Sequence, residues 1–379
     1  MKVKKNNVSL ENKSEKPKLT LILGSGFSKE AGLPTTNDIP AMFLETPEKE
    51  KKELPHGVGD EISKILKNFW EKVFNYYEKN TLPSMEDHFT LLDLAANSGH
   101  HLGKYYNPRR LRAIRRMSIH RVFSLVTGGR KKSECIHKLF SELNKKFALS
   151  IITLNWDIVI ERHLKKSKIE FYYPIETFKI AEKCAGEPWV HSGIPLIKMH
   201  GSTNWVYCDS CRRIFAGKIS STALIRKAFL EPEDFRLFDV RNDILNMIES
   251  LTADNNIRLC PLCGNIFAGR VATFSYRKAF SITQFQAIWE RTHVALRGAD
   301  TWLIVGYSMP EADFEFRHLL KSAQLARKKT ENWSAKVVLM KDEKAVNRYK
   351  GFFGLNDDNI LQCGLNEWVD SGLGKFAGR

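Results

Sequence analysis

Four groups of residues in this chain have types and spacings that can do chemistry. Gly24-Ser25-Gly26-Phe27-Ser28, with Gly32 close behind, reads as a loop that receives an anion. Gly24 lets the chain turn sharply, Gly26 lets the backbone approach a pyrophosphate, and the amides of Phe27 and Ser28 open the following helix toward phosphate charge. The third glycine stands at position 32 and not three residues after Gly26, so the match to the dinucleotide fingerprint is partial. Asn155 and Asp157 flank Trp156. An amide there can hold a sugar hydroxyl or a water and a carboxylate can accept from an amide, while both types serve equally well as helix N-caps. His200 precedes a glycine. An imidazole has room to project there and to take a proton near neutral pH, although a single histidine is more commonly a satisfied core or surface residue.

The fourth group is cysteine. Cys208-x-x-Cys211 and Cys260-x-x-Cys263 each set two thiolates on one tight knuckle, and two knuckles close a tetrahedron around a structural zinc. Pro261 and Gly264 suit that geometry. The pattern implies no open coordination position, which argues against a redox dithiol pair.

Each polar group follows a short apolar run. Leu19–Leu23 leads into the glycine loop, Ser150–Leu154 into Asn155, and the run from Pro195 into His200. Thr301–Val305 leads into Gly306-Tyr307-Ser308, and Lys336–Met340 into Asp342. Five strands, each followed by helical sequence, predict an α/β fold: a Rossmann-like open parallel sheet with helices on both faces, whose ligands sit beyond the carboxyl ends of the strands. Residues 45–59 read as a loop by composition. Apolar residues at helical spacing from Glu61 to Asn80 and from Glu86 to Phe147 predict a helical insertion, 61–147, whose aromatic stripe is core. The two cysteine pairs predict a small zinc-binding module over 206–270, with Arg212 to Arg258 holding an inserted helical element. Residues 1–18 read as a disordered basic tail and 341–379 as a C-terminal extension.

Composition narrows the class. The 379 residues are 43% hydrophobic, and no apolar run approaches the roughly 20 residues a membrane span needs. The N-terminus lacks the apolar core of a signal peptide, which predicts a cytoplasmic protein. Seven cysteines are an odd number, with metal spacing rather than a disulfide framework, as in a reducing compartment. Lys and Arg exceed Asp and Glu by 59 to 43, a net charge of +16 that favours polyanionic partners or a nucleotide substrate. The basic runs Arg109–Arg116 and Arg130–Lys132 can track phosphates or simply form solvated helix faces.

In order, Gly-Ser-Gly-Phe-Ser-x-x-Ala-Gly-Leu-Pro, Thr-Leu-Asn-Trp-Asp, Lys-Met-His-Gly, the paired cysteines and Val-Gly-Tyr-Ser make a set that resembles the sirtuin family across Leu19 to Met340. The resemblance implies a sirtuin-like NAD-binding domain over 19–340 with NAD as substrate and structural zinc. It implies that Gly24, Gly26 and Ser28 hold the phosphates. It assigns Asn155 and Asp157 to the nicotinamide ribose and carboxamide, His200 as catalytic base, Ser308 to the adenosine side, and Cys208, Cys211, Cys260 and Cys263 to zinc, with Ser25, Phe27, Gly32, Gly306 and Tyr307 counted among the cofactor-binding residues. Two departures stand out. Where the deacylases carry Asp-Phe-Arg this chain has Thr35-Thr36-Asn37, and where they carry the Phe-Gly-Glu segment that pairs with acyl-lysine peptide it reads Phe274-Ser275-Tyr276-Arg277-Lys278. The run Gly-Tyr-Ser-Met-Pro-Glu-Ala-Asp is similar to that of divergent bacterial sirtuin-like proteins, several of which hydrolyse NAD in antiphage defence. The expectation is therefore a gated NAD glycohydrolase, against an NAD-dependent protein-lysine deacylase or a non-catalytic NAD- or nucleic-acid-binding module. The resemblance also implies a homo-oligomer, and a HerA-type ATPase or Argonaute-like protein as candidate partner, while the composition argues against a membrane anchor.

Overall fold

The computed structural model describes residues 16–77, 81–127, 133–175, 177–179, 192–208, 210–217, 230–252, 259–265, 283–327 and 333–377, with 267, 273, 275 and 276. Most of the 1–18 tail, the Arg130–Lys132 run and Phe274 lie outside the described residues.

Ten strands are present among the described residues: β1 (Lys18–Leu23), β2 (Ala148–Thr153), β3 (Phe171–Tyr172), β4 (Thr177–Lys179), β5 (Ile194–Lys198), β6 (Trp205–Cys208), β7 (Arg213–Ala216), β8 (Thr301–Val305), β9 (Ser334–Leu339) and β10 (Ile360–Gln362). Seven form one sheet in the order β10-β9-β8-β1-β2-β5-β3, every pair parallel. β1 lies at the centre and is buried from Leu19 to Leu23, as a strand covered on both faces must be. All five expected strands are in this sheet. The edge strands β3 and β10 are additions, and with only two and three residues each they carry too few apolar positions to show a pattern. The chain after Met340 thus completes the sheet.

The first helices are α1 (Ser25–Lys29), α2 (Ile39–Phe43), α3 (Glu48–Glu53), α4 (Val58–Val73), α5 (Met85–Ser98), α6 (Pro108–Thr127), α7 (Glu134–Lys146) and α8 (Val159–Lys166). Residues 48–53 are helical and not loop, because a buried partner overrides their charged composition. Glu50, 2% exposed, accepts from Arg121 Nε at 3.0 Å, and the rest of that buried guanidinium donates to the carbonyls of Phe43, Glu45 and Gly59.

Among the described residues two apolar cores result. One surrounds the large sheet and includes α7, so the C-terminal part of the expected 61–147 insertion packs with the sheet. The other runs from Ile39 to Leu125 and continues without a break into the cysteine module through Val206, Cys208, Phe215, Phe235, Ile244 and Cys260. The inserted element expected there is present as helices Pro232–Phe235 and Asn242–Thr252. The basic run on α6 joins these parts. Arg115 pairs with Asp93, Arg116 pairs with Asp234 of the cysteine module, and Arg110 donates to Leu237 O at 2.9 Å. Of that run only Arg109 and Arg112 are exposed, which leaves little of it to track phosphates. No helix among the described residues is long and apolar enough to cross a membrane.

Candidate functional site

The chain passes from β1 to β2 and β5 on one side, then crosses to β8, β9 and β10 on the other, so the switch point lies between β1 and β8. A crevice forms outside the carboxyl ends of strands at such a point. A cavity of about 430 Å³ occupies it here, within the range of pockets that enclose a small ligand.

Glycine is required at this crevice by the close approach of two loops. A Cβ on Gly24 would lie 2.5 Å from Gly306 O, and one on Gly26 would lie 2.9 Å from Gly306 Cα. Gly306 itself has φ +63° and no room for a side chain against Phe27 N. Gly24 N donates to Val305 O at 3.1 Å and Gly26 N to Gly306 O at 2.9 Å. The glycines thus let two strand ends interlock and so form the cavity wall, and the amides of Gly26 and Phe27 are spent within the loops.

On the floor, Ser28 joins the two polar residues after β2. Asn155 Nδ2 donates to Gly24 O at 2.8 Å and to Ser28 Oγ at 2.9 Å, and Ser28 Oγ donates to Asp157 Oδ2 at 2.7 Å. A carbonyl can only accept, so the Asn155 atom facing Gly24 is the nitrogen. Asp157 Oδ1 accepts from Val159 N at 2.9 Å, so the helix-start interaction coexists with the polar chain. Burial pushes the Asp157 carboxyl up, opposed by the Lys198 ammonium and the Ser28 hydroxyl. Between these residues Trp156 points the other way, into the second core against Phe123 with ring centroids 5.4 Å apart. His200 follows β5 and is 6% exposed at the cavity, with Gly201 at φ +88° behind it.

The loop after β8 closes the far wall. Met309 has φ +54° although it is not glycine and precedes Pro310, a conformation costing about 1–3 kcal/mol that surrounding structure must hold. Helix Glu343–Phe353 holds it: Tyr349 donates to Tyr307 O at 2.7 Å and Arg348 Nη2 to Ser308 O at 2.8 Å. Tyr307 OH donates to Asp313 Oδ2 at 3.2 Å, and burial keeps its pKa well above the usual phenol value.

At the tip of the β6–β7 hairpin, the four sulfurs of Cys208, Cys211, Cys260 and Cys263 lie within 4.8 Å of one another. Cys208–Cys263 measures 3.5 Å and Cys211–Cys260 3.8 Å, against a tetrahedral edge of about 3.8 Å for zinc thiolates. The residue after each knuckle, Arg212 and Gly264, has positive φ, +54° and +72°. The Asn265 amide holds the Cys263 thiol down to about 6, whereas contact with Cys263 pushes Cys211 up to about 12. The donors fit one structural zinc, which would tie the hairpin to the second knuckle.

Among the expected site residues, Gly24, Ser25, Gly26, Ser28, Asn155, Asp157, His200, Gly306, Tyr307 and Ser308 line the cavity together. Phe27 does not, since its ring packs in the core 5.9 Å from Phe140, and Gly32 lies outside the lining. Lys29, Thr35, Thr36, Asn37, Glu86, Lys341 and Cys363 also line it. Lys341 stands at a strand end, where the pattern could point to it. Glu86 reaches the wall only through the packing of α5, which no local signal reveals.

The sequence matches no family model and no curated protein. The structure is similar to that of a Sir2 homolog–NAD complex, with 14% identity, 96% of this chain and 90% of that chain covered, and a TM-score of 0.42. It is also similar to a Sir2–p53 peptide–NAD+ structure, with 12% identity, 96% and 95% covered, and a TM-score of 0.42. A mutant Sir2 homologue in complex with ADP-ribose has 15% identity, 96% and 93% covered, and a TM-score of 0.40.

Proposed function

We propose that the cavity binds NAD and that the protein hydrolyses it to nicotinamide and ADP-ribose. One observation carries this reading: Asn155, Asp157 and His200, from two strand ends, share a single cavity with the interlocked glycine loops. The bond between ribose C1′ and the pyridinium nitrogen breaks with its electron pair leaving on nicotinamide, and the ribose becomes oxocarbenium-like. Asn155 Oδ1 holds a ribose hydroxyl or the incoming water, Asp157 accepts from the carboxamide, and water attacks C1′ as His200 takes its proton. Zinc takes no part in these steps.

The deacylase alternative needs a free docking edge after the cysteine module. Here Thr273 Oγ1 donates to Asp93 Oδ2 and Tyr276 N donates to Thr90 Oγ1 at 3.0 Å, so the described part of that segment is fastened to α5. That favours water over a peptide acyl group as nucleophile. An effector that depletes cellular NAD requires restraint, and the sequence resemblance supports a cytoplasmic role in bacterial defence, gated by self-assembly or by an ATPase or Argonaute-like partner.

The test is incubation of the purified protein with NAD and no peptide, at several protein concentrations, beside His200→Ala. Nicotinamide release abolished by His200→Ala supports the reading. Release that requires an acyl-lysine peptide replaces it with deacylation.

A further inference from the structure

Behind the cavity floor lies a buried ion pair that the proposed steps do not use. Lys198, the last residue of β5, and Glu161 on α8 are both fully buried, with Nζ 2.9 Å from Oε1. Lys198 Nζ also donates to the main-chain carbonyl of Asp157. Glu161 Oε1 accepts in addition from Tyr173 OH at 3.0 Å, and Asn204 Nδ2 donates to that phenol oxygen at 3.2 Å. Ser202 Oγ donates to Asn204 Oδ1, and Thr203 N donates to Trp156 O at 2.8 Å. The donors to Asp157 O and Trp156 O therefore come from the segment that carries His200.

A buried pair contributes little net stability, because desolvation of both ions offsets their attraction, and apolar replacements are often neutral. Its placement is more informative than its strength. The ammonium grips a carbonyl in the loop whose side chains face the cavity, two residues before His200 in sequence.

We propose that Lys198, held by Glu161, is a positioning residue that locks the Asn155–Asp157 loop to the His200 loop so that the three side chains meet the substrate in one geometry. This rests on the proposed NAD cleavage for its kinetic readout only. The charged groups facing Asp157 are Lys198 from β5 and Glu161 from α8, with the Ser28 hydroxyl from α1. Lys198 outweighs Glu161 there, so removing both charges raises the Asp157 pKa.

The experiment compares wild type, Glu161→Gln, and Lys198→Met combined with Glu161→Gln, which removes both charges while keeping side-chain volume and an acceptor for Tyr173. Thermal unfolding and zinc content establish that each is folded. For the double variant we expect kcat for NAD cleavage to fall about 100-fold, the scale of a small misplacement of reacting groups, with KM nearly unchanged and the acid limb of the rate profile moved to higher pH. Glu161→Gln alone, which keeps the Lys198 contact, should lose less. Hydrogen exchange is read in parallel, and should rise at residues 154–158 and 199–204 and not in β1. A folded double variant with wild-type kcat, pH profile and exchange overturns the proposal. If wild type alone cleaves no NAD, as a gated enzyme without its trigger would not, the kinetic readout is lost and exchange alone decides: a local rise supports the lock and no change refutes it.

Discussion

Gly26 donates its amide to the carbonyl of Gly306 at 2.9 Å, and neither residue has room for a Cβ. The end of the central strand and the end of β8 are thus fastened backbone to backbone, and the cavity opens beside the joint. Gly306→Ala faces both a positive φ and a backbone atom that cannot move aside. We expect it to destabilise the protein by more than about 2 kcal/mol, within the range for strained and overpacked sites. Gly298→Ala, with open space around it, should be neutral. Thermal unfolding of the two variants decides; equal midpoints would show that the joint tolerates a side chain.

Ser28→Ala removes the link between Asn155 and Asp157 without touching the glycines. It leaves a part-buried N–H and a buried carboxylate oxygen each short of a partner, a cost of about 1–3 kcal/mol. Nicotinamide release should fall roughly 5- to 150-fold, while Ser28→Thr, if its methyl is accommodated, should retain more. Unchanged turnover in Ser28→Ala would remove the chain from the mechanism.

The cysteine module should bind one zinc per chain, and Cys260→Ser should abolish it together with cooperative unfolding of the helical body, since the two share one core. Metal competes with protons for thiolates, so apparent zinc affinity should rise with pH across neutrality, the displaced protons passing to solvent. A pH-independent affinity would argue against four thiolate ligands. Zinc analysis by mass spectrometry and chelator competition provide the measurements.

His88 should set part of the acid sensitivity. Trp70 Nε1 donates to its Nδ1 at 3.0 Å, so Nδ1 carries no proton, and Nε2 donates to Ser118 Oγ at 2.9 Å. Burial pushes its pKa down to about 3, whereas the unfolded value is about 6.5. A depressed value means its contribution is complete above about 6.5 and is lost as pH falls toward about 3. Urea midpoints of wild type and His88→Gln across that window should converge at low pH; parallel curves would place the acid sensitivity elsewhere.

Much of this was open to sequence reading, for physical reasons. Strands buried on both faces, such as Leu19–Leu23 and Thr301–Val305, are continuous apolar runs, and the polar residues that follow mark the carboxyl ends where ligands collect. The cysteine cluster is legible because knuckle spacing is local. What escaped was set by distant contacts. The two-residue strand β3 exists only as an addition to β5. Helix Glu48–Glu53 depends on Arg121, and the reason for glycine at 26 is another glycine far along the chain. Arg115 and Arg116 look like a nucleic-acid face until Asp93 and Asp234 arrive beside them.

The central place of β1 has a consequence for biosynthesis. Its Leu23 pairs with Thr153 on one side and with Val305 on the other, about 280 residues further on. At a synthesis rate of about 5–20 residues per second, roughly 15 to 60 s separate emergence of this strand from arrival of its second neighbour. Throughout that interval the central strand of the sheet leaves the ribosome with a bare hydrogen-bonding edge. Slower translation lengthens that exposure.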